Sequence, residues 1–87
     1  MITVKKFGAT RCGPCRAIAP VLESLKAEYY NVEFVEYDVD ESSEEAAKYG
    51  VSSIPVVFIE KDGEVVNKII GANSKTKYIE AINNALD

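Results

Sequence analysis

The stretch Cys12-Gly13-Pro14-Cys15 contains both cysteines of the chain and lies between a predicted strand and a predicted helix. Two thiols at this spacing can join as a disulfide in a small ring, which makes a reversible two-electron switch. Gly13 allows a tight turn, and Pro14 suits the first turn of a helix, where a missing N–H is harmless. At the helix N-terminus, free amides and the helix dipole lower the pKa of the Cys12 thiol from its free value of about 8.5. The stretch therefore predicts Cys12 as a nucleophile and Cys15 as a shielded resolving thiol.

The bulk composition indicates one small domain that spans residues 1–87. The chain is 47% hydrophobic and 28% charged, which is ordinary for a globule with a single core. No apolar run approaches the roughly 20 residues that a membrane span needs, and residues 1–6 lack the order of a secretion signal. With a net charge of -4 and a pI near 4.8, the chain lacks the basic surface that nucleic acid requires. We therefore expect a mature cytoplasmic protein with no nucleic-acid or membrane partner.

The cysteine pair is expected to be catalytic. A disulfide at this spacing closes a loop too short to constrain the fold much. Zinc is the alternative, but without a histidine or a third cysteine one chain cannot supply the usual four nitrogen and sulfur ligands. We expect no metal and no bound cofactor, with the Cys12–Cys15 disulfide as the redox group.

The hydrophobic pattern predicts seven elements in the order βαβαββα. Strands are predicted at residues 2–7, 32–39, 55–60 and 64–70, and the last two form an antiparallel hairpin around the turn 61–63. The first helix is predicted at residues 14–30, with a kink near Pro20. A second, short helix begins with the capping box of Ser42 and Glu45 and ends at Gly50. A third begins at Asn73 or Ser74, and its predicted buried stripe is Tyr78, Ile79, Ile82, Ala85 and Leu86.

These features together resemble the thioredoxin family. The resemblance rests on the element order, on CGPC between the first strand and the first helix, on Ile54-Pro55 at the third strand, and on Gly71-Ala72 after the fourth. It covers the whole chain, and it implies an α/β thioredoxin-like fold with a four-stranded mixed sheet and helices on both faces. The extra N-terminal strand and helix of full-length thioredoxins are missing from the pattern.

The resemblance also implies roles for individual residues. Cys12 matches the attacking cysteine of the family, Cys15 the resolving cysteine, and Pro55 the family's cis-proline, which places the Ile54 backbone beside Cys12 for pairing with an extended substrate. A shallow apolar groove for the substrate is implied at Ser53, Ile54, Pro55, Gly71 and Ala72. The implied partners are disulfide-containing proteins as substrates and a thioredoxin reductase or another dithiol donor, with the chain acting as a monomer.

Arg11 departs from the family pattern, which usually has tryptophan before the first cysteine, and this chain has no tryptophan. One interpretation is that the Arg11 guanidinium favours the Cys12 thiolate and selects acidic substrates or a different reductase. The other is that Arg11 is a solvated loop charge of little consequence.

Lys6 and Glu36 stand where the family has a buried acid and a neighbouring lysine, so the pair looks swapped in sign. Alternation along the strand puts Lys6 on the same face as Ile2 and Val4, an apolar-patterned face. We predict a partly buried ion pair under the active site, with Glu36 accepting the Cys15 proton directly or through a water. The alternative is that both side chains extend to solvent at the strand ends.

The function predicted from the sequence is that of a thioredoxin-type thiol-disulfide oxidoreductase, which reduces protein disulfides through a mixed disulfide on Cys12 that Cys15 resolves. A glutaredoxin-like enzyme that draws electrons from glutathione fits the size, but glutaredoxins usually have Pro-Tyr between their cysteines. A non-catalytic accessory subunit is the second alternative, and retention of both cysteines argues against it.

Overall fold

Four strands and three helices follow one another in the predicted order. The computed structural model describes residues 1–87, with strands β1 (Ile2–Gly8), β2 (Val32–Asp38), β3 (Val56–Lys61) and β4 (Glu64–Ile70). The helices are α1 (Gly13–Glu28), α2 (Ser43–Lys48) and α3 (Lys75–Leu86). None of the three helices combines the length and the apolar character needed to cross a bilayer.

The strands form one mixed sheet in the order β2-β1-β3-β4. β1 pairs in parallel with β2 through α1, and the other two pairings, β1 with β3 and β3 with β4, are antiparallel. The hairpin turn between β3 and β4 has positive φ at Asp62 and Gly63, as a two-residue turn that follows the twist of the strands requires. The predicted four-stranded mixed sheet is confirmed.

Apolar side chains cover both faces of this sheet. Thirteen buried residues form the larger cluster, which joins one face to α1 and α3, with Val4 and Ile59 from the sheet and Leu25 and Ile82 from the helices. The smaller cluster is on the other face, where Phe7, Val56 and Phe58 pack against partly buried residues of α2 and the segments next to it. Helices therefore lie on both faces, as predicted, because strand alternation sends successive side chains to opposite cores.

The buried stripe of α3 follows the predicted spacing with two corrections, since Ile79 is only half-buried and Leu86 is exposed. In α3 the buried residues are Tyr78, Ala81, Ile82 and Ala85, and Leu86 is 41% exposed. Leu86 comes eight residues after Tyr78, which turns it about 80° away from Tyr78 and beyond the edge of the stripe at Ile82. Helix α1 continues unbroken through Pro20, and the kink stays a prediction.

The helix caps confirm one sequence prediction and correct another. Ser74 is the N-cap of α3, and its hydroxyl accepts a hydrogen bond from the Lys77 N–H at 3.4 Å. Ser42 is the N-cap of α2, but its side chain makes no capping bond. The Ser42 N–H donates instead to the Asp38 carbonyl at 2.7 Å, so it is not free for the Glu45 side chain that a capping box requires.

A partly buried polar cluster lies next to α2, on the face of the sheet opposite α1. Lys5 of β1 donates a hydrogen bond to the Tyr49 hydroxyl and forms a 3.4 Å ion pair with Glu60 of β3, while the Tyr49 hydroxyl donates to the other Glu60 oxygen. The bond to Tyr49 raises the pKa of Lys5, and burial, followed by the bond to Glu60, raises the pKa of Tyr49. Because Tyr49 is the C-cap of α2, this cluster attaches α2 to two strands.

Candidate active site

Cys12 is the N-cap of helix α1, so it lies at the helix N-terminus as the sequence predicts. Its backbone is extended (φ -95°, ψ 112°), and its Sγ accepts a hydrogen bond from the Cys15 N–H at 3.2 Å. Pro14 lies in the first turn, which contains no acidic side chain. The Cys12 sulfur therefore faces free amides at the positive end of the helix dipole, an environment that favours a thiolate over a thiol.

The two cysteines are joined as a disulfide with their Cα atoms 5.3 Å apart. Their exposures differ, since Cys12 is half-buried and Cys15 is only 3% exposed. A partner can therefore approach the sulfur of Cys12 more readily than that of Cys15. This asymmetry is what an attacking and a resolving thiol need.

Gly8, the last residue of β1, lies directly against Cys15. A Cβ on Gly8 would be 3.1 Å from the Cys15 Sγ and 3.4 Å from the Lys6 Cε. The φ of Gly8 is not in the left-handed region, so the constraint on this residue is space: a Cβ here would require the neighbouring atoms to shift by a few tenths of an ångström. The sequence showed only a glycine at the start of the active-site loop, and no sequence signal specified that the sulfur would pack on it.

Lys6 and Glu36 are register partners on β1 and β2, but the predicted ion pair between them is wrong. No carboxylate oxygen lies within 4.0 Å of the Lys6 Nζ, which donates instead to the Cys15 carbonyl at 3.5 Å. Lys6 is half-buried and Glu36 is exposed. Glu36 remains solvated because water stabilises a carboxylate at the sheet edge at less cost than a buried pair would.

A cavity of about 350 Å³ connects these side chains with the buried cysteine. It extends from Cys15 and Gly8 to exposed residues at its mouth, so it reaches solvent. Its charged and titratable lining residues are Lys6, Arg16, Glu36, Tyr37, Asp38 and Glu41. The structure thus brings Lys6, Glu36 and Cys15 to one cavity without a Lys6–Glu36 contact.

Arg11, next to the nucleophile, forms a two-point ion pair with Asp40. Its Nε and Nη2 lie 3.1 and 3.3 Å from the two carboxylate oxygens, and this bond raises the pKa of Arg11. The two side chains are 65% and 55% exposed, so the pair is solvated. Sequence reasoning missed Asp40, because nothing in the sequence connects it with Arg11. Since Asp40 balances its charge, Arg11 is not a free cation beside Cys12.

Backbone and side-chain bonds hold the loop that carries Cys12. The Cys12 N–H donates to the Ala9 carbonyl at 3.1 Å, and the Val39 N–H donates to the Gly8 carbonyl at 2.9 Å. Arg16 reaches back from α1 to donate to the Thr10 carbonyl at 2.6 Å. Sequence reasoning did not identify Arg16, because its position on the exposed face of α1 looks like that of any surface cation.

The other predicted residues come together at the neighbouring strands. The Ile54–Pro55 peptide bond is cis, and Pro55 precedes β3 instead of starting it. The Gly71 N–H donates to the Pro55 carbonyl at 2.8 Å, which joins the segment before β3 to the segment after β4. Because Phe7 pairs with Val56, this junction lies at the same end of the sheet as the active-site loop.

The five predicted groove residues differ in their exposure to solvent. Pro55 is buried, Ile54 and Gly71 are half-buried, and Ser53 and Ala72 are exposed. None of the five lines the cavity beside Cys15. The predicted substrate groove is therefore a different surface from this cavity, and it stays a prediction.

Comparison with known proteins gives a consistent result. A family model described as Thioredoxin matches residues 1–84. A thioredoxin of Listeria monocytogenes is 47% identical over 83 residues, which cover 94% of this chain and 81% of that protein. A thioredoxin of Staphylococcus aureus is 46% identical over 81 residues, covering 92% of this chain and 78% of that protein.

Solved structures agree in fold. The X-ray structure of Fasciola hepatica thioredoxin has a TM-score of 0.92 at 45% identity, covering 97% of this chain and 80% of that one. Mitochondrial thioredoxin 3 of Saccharomyces cerevisiae in its oxidised form has a TM-score of 0.89 at 41% identity, covering 95% and 77%.

The mixed sheet with helices on both faces and a CxxC disulfide at a helix N-terminus defines a thioredoxin-like thiol-disulfide oxidoreductase. With the sequence matches, the chain belongs to the thioredoxin family. Its redox-active group is the disulfide between Cys12 and Cys15, and the family in general acts on disulfide substrates with a reductase as partner.

Proposed function

We propose that Cys12 attacks disulfides of protein substrates and that Cys15 resolves the mixed disulfide. The observation that carries this assignment is the contrast between the half-buried Cys12 sulfur at the N-terminus of α1 and the buried Cys15 beneath it. No cofactor is required, since the two thiols carry both electrons.

The reaction has two exchange steps. The Cys12 thiolate attacks a substrate sulfur, forms a mixed disulfide and releases the first substrate sulfur as a thiolate. Cys15 then loses its proton and attacks the Cys12 sulfur, which restores the Cys12–Cys15 bond and releases the second substrate thiolate. Glu36 lines the cavity beside Cys15 and serves, through water, as acceptor of that proton.

The substrate is proposed to bind beside Cys12 as an extended segment. The cis bond before Pro55 and its hydrogen bond to Gly71 support this surface, since they bring two loops to the end of the sheet where Cys12 lies. The proposed contact residues are Arg11, paired with Asp40, and Ser53, Ile54, Pro55, Gly71 and Ala72. Main-chain pairing recognises backbone more than side chains and suits a range of protein substrates.

The electron donor proposed is a thioredoxin reductase, which returns the disulfide to the dithiol. Reduction of protein disulfides requires a compartment in which thiols are kept reduced, so the reaction is placed in the cytoplasm. The protein is proposed to act there as a monomer, without nucleic acid.

The test is NADPH-driven reduction of insulin disulfides. The protein is supplied with a thioredoxin reductase in one reaction and with glutathione plus glutathione reductase in another. Cys12→Ser should abolish turnover. Cys15→Ser should accumulate a mixed disulfide with the substrate, because the attacking thiol remains and the resolving thiol is gone.

The outcomes separate the candidate functions. Turnover with thioredoxin reductase supports the proposal, whereas turnover with glutathione alone assigns the protein to glutathione-dependent chemistry. If both donors fail while dithiothreitol still drives the reaction through Cys12, the thiol chemistry is supported. The proposal that a thioredoxin reductase is the electron donor is then overturned. Absence of any turnover, dithiothreitol included, favours the accessory-subunit alternative.

A further inference from the structure

Lys6 is the one charged side chain with a hydrogen bond to Cys15, through its Nζ and the Cys15 carbonyl at 3.5 Å. The Lys6 Cε and the Cys15 Sγ also approach a common point above Gly8, at 3.4 and 3.1 Å. The end of the lysine side chain therefore lies alongside both the sulfur and the backbone of the resolving cysteine.

The Lys6 ammonium is not neutralised by a contact. No ion pair forms within 4.0 Å. Glu23 and Lys26 of α1 line a second cavity beside Lys6, and the other nearby carboxylates line the cavity shared with Cys15. The titratable and charged groups that face this cavity are Lys6 from β1, Arg16 from α1, Glu36, Tyr37 and Asp38 from β2, and Glu41 from the loop after β2. Of these, the other cation, Arg16, is bound to the Thr10 carbonyl.

We propose that Lys6 is a positioning residue that stabilises the Cys15 thiolate in the resolving step. The inference rests on the proposed function, in which Cys15 attacks the mixed disulfide. A half-buried ammonium beside a buried sulfur favours the anionic form of that sulfur, since burial alone disfavours a thiolate.

The step balances without an additional reactant. The Cys15 thiol gives its proton to cavity water and Glu36, the resulting thiolate forms a bond to the Cys12 sulfur, and the Cys12–substrate bond breaks. The electron pair of that bond leaves with the substrate thiolate. Lys6 transfers no proton in this step and acts only through its charge.

The experiment follows both exchange steps in single turnovers of the reduced protein. Excess dipyridyl disulfide, a neutral probe, releases one thiopyridone when Cys12 attacks and a second when Cys15 resolves the mixed disulfide. The pH dependence of the second release reports the apparent pKa of Cys15. We expect Lys6→Met to raise this pKa by about one unit and to slow the second release about tenfold at neutral pH.

Two further variants separate charge from packing. Lys6→Arg keeps the positive charge and should restore the wild-type pH profile. Lys61→Met removes one exposed positive charge about 13 Å further along β3, at the opposite end of the sheet from the active site, and should leave the profile unchanged. Lys6→Gln provides a second neutral side chain in case the methionine variant folds poorly.

The inference is overturned if the neutral variants keep the wild-type pKa for the second release, or if Lys6→Arg behaves like Lys6→Met. In either case a normal first release would leave the role of Cys12 intact. Loss of the first release in the wild-type protein would instead overturn the proposed function itself.

Discussion

At the scale of single residues, the active site depends on how closely Gly8 approaches Cys15. The end of β1 and the first turn of α1 meet where a methyl group would be 3.1 Å from the Cys15 Sγ and 3.3 Å from its Cβ. The disulfide holds this sulfur in place, whereas the neighbouring lysine side chain can move. The space at Gly8 is therefore most restricted when the protein is oxidised.

Gly8→Ala is expected to destabilise the oxidised protein by about 1–3 kcal/mol, a typical effect of overpacking, and the reduced protein by less. Urea unfolding of both forms measures the difference. Gly13→Ala is the matched control, because a Cβ there meets only Arg16 Nη2 at 4.0 Å. Equal stability of wild type and Gly8→Ala in the oxidised form would show that the neighbours move aside.

At the scale of elements, α2 is attached to the sheet by polar as well as apolar contacts. The helix has only six residues and none of them is buried. Its C-cap, Tyr49, packs its ring on Phe7 and Phe58 and places its hydroxyl between Lys5 and Glu60. A helix this short has little stability of its own and depends on such tertiary contacts.

Tyr49→Phe is expected to cost about 1–3 kcal/mol, since the buried Glu60 loses a donor while the aromatic packing remains. Chemical denaturation measures the loss, and hydrogen exchange should show faster opening of α2 than of α1. Tyr37→Phe is the control, because Tyr37 stacks on Phe7 at 4.8 Å without a hydroxyl bond to another residue. An equally large loss of stability in Tyr37→Phe would show that the hydrogen bonds of the Tyr49 hydroxyl have no particular stabilising role.

At the scale of the whole molecule, titratable side chains on both faces of the sheet have pKa values above their ordinary values. Lys5 and Tyr49 lie on the α2 face, and burial raises the pKa of Tyr78 on the α1 and α3 face. A group whose pKa is higher in the folded than in the unfolded protein binds its proton more tightly when folded. Its contribution to stability is complete below the unfolded pKa and disappears as the pH rises through the folded pKa.

The oxidised protein should therefore lose stability above about pH 10, where unfolded lysine and tyrosine begin to lose protons. Urea unfolding measured from neutral pH to above pH 11 tests this, with both thiols paired so that free thiolates do not interfere. Tyr78→Phe removes one of the three groups and should flatten the alkaline decline. Constant stability across this range would contradict the assignment of all three groups.

The sequence by itself determined the element order, the apolar stripes and the identity of the reactive pair. Helical and strand periodicities are local, so they can be read without knowing which segments pack together. Cys12 at a helix N-terminus and the cis bond before Pro55 were predicted correctly from CGPC and the family resemblance. Local cap preference was less reliable at Ser42, where a backbone bond to Asp38 replaced the capping box.

Tertiary structure alone decided which side chains meet. Lys6 and Glu36 are opposite each other in the paired strands β1 and β2. The Lys6 side chain nevertheless donates a hydrogen bond to Cys15, and Glu36 remains exposed to solvent. The Arg11–Asp40 pair joins residues 29 positions apart, and its formation required the loops after β1 and β2 to end at one edge of the sheet. Such contacts depend on distances between segments remote in the chain, and neither residue type nor periodicity specifies those distances.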